Sequence, residues 1–346
     1  MKRNAHLAIT LFYTLIPATM IAQESEKVDY TPQVHGTIRA KYEYQPEDNK
    51  GRFEVRTARF SLDGNVTPAV SYKAEIDLSD EGKIKMLDAY TRLQPFKSCH
   101  FTIGQMRVPF TIDAHRSPHM QYFANRSFIA KQVGNVRDVG LTAEYNFKVG
   151  VPMKMEAGIF NGSGLTDQKD YWTNQINFST KLQTFIPGGW NITLSAQKIK
   201  PDHLTVMMYD AGIFYHAHGW HTEVEYLYKH YADDAFKAVH SVDAFINYDI
   251  PLSKGFFSKI SPLLRYDYMT DHSDGFRYLD GAKNEAGNLI INDYKRSRIT
   301  GGMTLSIGKP FISDIRVNYE KYFYEHDGLA KISEKDKFVI EVMTRF

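Results

Sequence analysis

Between residues 107 and 137 the chain carries five cationic side chains, Arg107, Arg116, Arg126, Lys131 and Arg137, against a single acid, Asp113. The whole chain has 42 Lys and Arg against 40 Asp and Glu, so this basic stretch is local. Guanidinium groups suit the capture of small anions. Their planar forks meet phosphate or carboxylate oxygens two at a time, and they stay charged at any working pH. Other chemistries find weaker support. Cys99 is the only cysteine, which excludes an internal disulfide and a multi-thiolate metal site. His216 and His218 could share a strand face, and His115 and His119 sit in the basic stretch, but no Cys or carboxylate cluster completes a metal site by spacing. Ser163 in NGSGL lacks the G-x-S-x-G elbow. DHSDG (271–275) and DGAKNEAGN (280–288) depart from the ligand pattern of an EF-hand loop. Arg39, Lys41, Arg56 and Arg59 have acids interleaved and no base-stacking motif, which argues for a solvated wall and against nucleic acid. No catalytic residue, metal or cofactor is expected.

The elements that must position the basic stretch read as strands. FTIGQMRVPF (101–110) precedes it and VGLTAEYNF (139–147) follows; in the second, Val139, Leu141, Ala143, Tyr145 and Phe147 share a face opposite Thr142, Glu144 and Asn146. The same alternation recurs along the chain: 34–44, 52–63, 69–79, 84–94, 100–110, 138–147, 153–161, 171–183, 190–199, 207–217, 220–230, 239–250, 259–269, 297–307, 311–324 and 338–346, with a slip near Thr57 that suggests a bulge. In the first strand Val34, Ile38, Ala40, Tyr42 and Tyr44 alternate with His35, Thr37, Arg39, Lys41 and Glu43. Spacers after even-numbered strands are mostly short turns, and every long spacer (111–137, 270–296, 325–337) follows an odd-numbered strand.

Sixteen strands, short turns at one rim and long loops at the other describe an all-β, antiparallel transmembrane barrel in the outer membrane. Only closure lets strands cross lipid without stranding N–H and C=O groups, and a barrel of this size leaves an aqueous lumen. Lys2 and Arg3, an apolar run from Leu7 to Ile21 and the small Ala22 read as a signal peptide over 1–22, leaving 23–346 as the barrel. Losing Lys2 and Arg3 takes the formal charge from +2 to zero, so only the distribution of charge can argue for an anionic partner. The expected function is passive diffusion of small hydrophilic solutes with a preference for anions at a basic constriction. The alternative is a non-conducting receptor or adhesin barrel that binds through its long loops.

Several stretches resemble the phosphate-selective porin O and P family: GQMRVPF (104–110), FANRSFI (123–129), NVRDVGL (135–141), GIFNGSG (158–164) and RYDYM (265–269), with DAY at 88–90 and the terminal Phe346. The resemblance implies a homotrimer in outer-membrane lipid, a long third loop folded inward, and basic side chains that guide phosphate or related anions. It places Arg107 at the end of the fifth strand, Arg126 in the inward loop and Arg137 with Asp138 at the start of the sixth. Arg116 and Lys131 rest on their position in the same loop. Asn125 stands where the family often has an acid. The lumen phase carries Glu43, Glu75, Asp77, Glu144, Glu223, Glu225 and Asp243, and the sequence aligns no basic ladder along the wall.

Overall fold

The computed structural model describes residues 28–346 apart from 81–82, 133–135, 166–168, 201–203, 274–276, 279–287, 290, 292, 309–311 and 326–329. The signal-peptide segment, most of DGAKNEAGN and part of DHSDG therefore lie outside the described residues. The strands are β1 (Gln33–Gln45), β2 (Lys50–Thr67), β3 (Val70–Asp80), β4 (Lys83–Phe96), β5 (Cys99–Arg107), β6 (Arg137–Val149), β7 (Val151–Phe160) and β8 (Asn177–Ile186). They continue as β9 (Trp190–Ile199), β10 (Val206–Ala217), β11 (Trp220–Tyr231), β12 (Val239–Tyr248, extended by Ile250–Pro251), β13 (Lys259–Met269), β14 (Arg296–Ile307), β15 (Ile312–Tyr324) and β16 (Lys337–Arg345). Each pairs antiparallel with its sequence neighbour, and β1 pairs with β16 from Thr37↔Arg345 to Tyr44↔Phe338. The barrel is closed. Gly36 and Phe346 finish the seam by exchanging backbone hydrogen bonds of 2.7 and 3.1 Å. Among the described residues no helix is long and apolar enough to cross a membrane; the strands carry that role.

Alternation sorts the two faces as the period of two requires. In β1 Arg39, Lys41 and Glu43 are buried inside while Ile38 is exposed outside. Outward Leu141, Leu194, Val224 and Ile340 are likewise exposed to the surroundings of the barrel. The slip near Thr57 is a bulge: Arg39 pairs with Thr57 and Ala40 with Val55, so Arg56 is the extra residue. A bulge opposes two residues to one, and the strand therefore presents both Arg56 and Arg59 to the lumen despite their odd spacing.

Two boundaries differ from the alternation. β5 stops at Arg107 rather than Phe110, because Val108 makes one last bond to the Val136 carbonyl, Pro109 has no N–H to give, and Thr111 turns the chain with φ +58°. β8 starts at Asn177 rather than 171, leaving Trp172 94% exposed outside the ladder. The alternation persists where hydrogen bonding has ended.

The segment after β5 enters the barrel. It runs through single turns at Asp113–His115 and Pro118–Met120 and a short helix, α1 (Phe128–Gln132). Here lies the apolar core. Met106, Val108, Phe110, Phe128 and Ile129 pack against inward Val206, Met208, Leu227, Tyr231, Val239 and Met269, all nearly inaccessible to solvent. Burial of this order stabilises by roughly 1.5–3 kcal/mol per large side chain, and it seats the loop on one arc of the wall.

Candidate functional site

Polar side chains around the wall bind the loop's backbone at both of its shoulders. At the first, Ser195 accepts the Thr111 N–H at 3.1 Å, Glu225 accepts the Ile112 and Asp113 N–H groups, and Lys181 donates to the Thr111 carbonyl. At the second, Arg39 donates to the Ala124 carbonyl (2.7 Å), Arg265 to that of Asn125 (3.0 Å) and Arg298 to that of Arg126 (2.8 Å), while Asn318 accepts the Ala124 N–H at 2.9 Å. Gly212 faces the loop directly. A Cβ there would lie 2.4 Å from Ile112 Cδ1, so a larger residue requires the Ile112 side chain to move.

Asp113 organises the loop from within. Its Oδ2 accepts the N–H (3.1 Å) and hydroxyl (2.9 Å) of Ser127, and Arg116 approaches Oδ1 at 3.4 Å. Burial pushes its carboxyl up, but Arg116, Arg126, Arg265 and the Ser127 N–H more than reverse this and hold it down at about 2.

The five cationic residues singled out by sequence fall into two groups. Arg107 donates to the carbonyls of Ala114 (3.0 Å) and Arg116 (3.2 Å), and Arg126 to those of Asp113 (2.7 Å) and Arg116 (2.8 Å). Both guanidinium groups thus meet at the Arg116 carbonyl. Among the described residues neither forms an ion pair with a carboxylate. Burial and the nearby Arg39, Arg59 and Arg56, opposed by Asp113, bring the Arg126 pKa down to about 10, which leaves it charged. The other three are neutralised. Arg116 pairs with Glu223 and Asp113 and lies over the rings of Tyr122 and Phe245; burial, overridden by Glu223 and Asp113, leaves its pKa raised. Lys131 on α1 pairs with Glu334 at 2.5 Å. Arg137 pairs with Asp88 at 2.7 Å and Glu75 at 3.2 Å.

Two cavities remain beside the loop. One, of about 150 Å³ on the long-loop side, is lined by Lys41, Arg52, Arg56, Arg126, Lys131, Arg298 and Lys337 against two carboxylates, Glu43 and Glu54. The other, of about 430 Å³ on the short-turn side, has Arg59, Lys73, Arg92 and Arg345 against Asp29, Asp63 and Glu75. Both involve β1 and β2. The wall cations of these strands, which the sequence did not align, face the loop's own arginines but are paired, Arg56 with Glu54 at 3.5 Å and Arg59 with Asp77 at 2.9 Å. The lumen phase of each strand was readable, and Arg56 and Arg59 were visible as wall residues. Which arc the loop would cover was not, because that depends on contacts between residues up to two hundred positions apart.

Residues 28–185, covering β1 to β8, match the family model described as "Phosphate-selective porin O and P". No curated protein matches the sequence. Among solved structures, the porin is similar to Salmonella typhi OmpF in complex with daunomycin (TM-score 0.64, 11% identity, covering 91% of this chain and 97% of that one). It is also similar to an anion-selective porin from Comamonas acidovorans (0.61, 11%, 91% and 98%) and to OmpT of Vibrio cholerae in its trimer form (0.60, 11%, 91% and 98%). At such identities the likeness is one of fold, and it extends over the whole closed barrel of the porin.

Proposed function

We propose that this porin sits in the outer membrane and passes small hydrophilic solutes by passive diffusion, preferring anions, phosphate among them. The observation that carries the preference is the pair Arg107 and Arg126, held by backbone carbonyls instead of carboxylates, with Arg126 opening on the cavity of the long-loop side. A carbonyl holds a guanidinium in place without cancelling its charge. A side-chain charge at a constriction sets selectivity as long as the ion can also leave, and water in the passage keeps each contact weak enough for that.

Arg107 and Arg126 form the anion-facing side in this reading, and the wall residues Arg56 and Arg59, paired with Glu54 and Asp77, line the passage beside them. Arg116, Lys131 and Arg137 shape the constriction through their carboxylate partners. Residues 1–22 act as the export signal, and three copies assemble in the membrane, as the trimer form of the similar OmpT supports. The chain works as a channel and not as an enzyme.

The test is reconstitution. Purified protein is expected to make liposomes swell in small sugars and to give single-channel conductance whose reversal potential in a potassium chloride gradient favours chloride. A folded protein that neither swells liposomes nor conducts would establish the blocked receptor barrel instead, and a cation-favouring potential would defeat the anion preference.

A further inference from the structure

Glu225 on β11 stands directly across from Asp243 on β12, and Glu223 is two residues along the same inward face. Exposure is 1% for Glu223, 0% for Glu225 and 1% for Asp243. One oxygen from each of the three lies within 4.8 Å of the others. Like charges directly opposed across two strands repel, and buried carboxylates require partners. The neighbouring cations are shared with other groups. Arg116 pairs with Glu223 and Asp113, Lys181 donates to the Thr111 carbonyl, and Arg265 Nε lies 2.9 Å from Asp267 but 3.8 Å from Asp243. Asp243 Oδ1 and Glu223 Oε1 are buried with no hydrogen-bond partner at all. A buried oxygen without a donor calls for an ion, a proton or a water.

We propose that Glu223, Glu225 and Asp243 bind one divalent cation, calcium by size, at the seam between the inward loop and the wall. Arg116 is set against Glu223, and Glu225 lies beside a fourth buried carboxyl, Asp210; a divalent ion offsets two of the negative charges so gathered. Calcium holds oxygens at about 2.3–2.6 Å, and three oxygens within 4.8 Å of one another close on one such ion with small side-chain movements. Magnesium, at about 2.0–2.1 Å, would require the three side chains to draw closer. Because Glu225 also accepts the Ile112 and Asp113 N–H groups, the ion would fix the start of the loop to the strand that carries it.

The experiment uses the full refolded protein in detergent, stripped with EDTA and titrated with calcium chloride in equilibrium dialysis, with thermal unfolding followed in parallel. Wild type is expected to bind one calcium per chain more than Asp243→Asn, and to unfold at a higher temperature in calcium than in EDTA; the variant shows no such rise. Glu223→Gln, which removes a negative charge from the other end of the cluster, gives the same comparison should Asp243→Asn fail to fold. Wild type that unfolds at the same temperature in calcium and in EDTA, or folded variants that bind as much calcium as wild type, would overturn the site and leave a shared proton as the neutralising agent.

Discussion

Replacing Arg126 with Gln removes one of the two guanidinium charges at the constriction that lack a carboxylate counter-ion. Its size and its neutral donor keep part of the link to the Asp113 and Arg116 carbonyls. An anion passing at about 4 Å through water gains about 1 kcal/mol from a unit positive charge. At 0.1 M salt, where the Debye length is about 10 Å, screening leaves about 0.7 kcal/mol of this. A passing cation loses as much, so the substitution changes the balance between them by about 1.4 kcal/mol, which is about tenfold in the anion-to-cation permeability ratio. The readout is the reversal potential of single channels in a potassium chloride gradient, repeated at 1 M salt, where the difference should shrink. Arg126→Lys keeps the charge and should hold the ratio near wild type, which separates charge from shape. A folded Arg126→Gln channel whose ratio equals that of wild type at low salt would refute the assignment of this side chain to the ion path.

Three further outcomes are expected. Asp113→Asn should cost about 3–5 kcal/mol, because Arg116 and Ser127 lose the buried carboxylate that holds them; the unfolding temperature checks this, and single-channel noise should rise as the loop loosens. Gly212→Val would collide with Ile112 and lift the loop off β10, changing conductance at an unchanged strand content by circular dichroism. Burial and the adjacent Arg345 depress the His119 pKa to about 4. The unfolded chain therefore takes up this proton near pH 6.5 and the folded chain only near 4, so the contribution of His119 to stability is fully present above pH 6.5, declines between the two and is gone below about 4. Unfolding measured from pH 7 to pH 4 should show that slope flatten in His119→Gln.

The period of two, repeated with every long spacer on one side, was enough to specify the barrel. Each strand must show one face to lipid and one to water, and backbone groups in lipid must be paired. Even the bulge was legible, because Arg56 breaks the alternation on either side of it. The extent of β5 and β8 was not, since a run that alternates keeps its pattern after its ladder partner is gone. The site was half legible. Local composition marked Arg107 and Arg126, but it marked Arg116, Lys131 and Arg137 just as strongly, and these three are matched by Glu223, Glu334 and Asp88, residues from 49 to 203 positions away in the chain. Charge in a sequence counts residues, whereas the field in a lumen counts what remains after pairing. That remainder was decided only when the loop settled across the lumen, fastening its carbonyls to Arg39, Arg265 and Arg298.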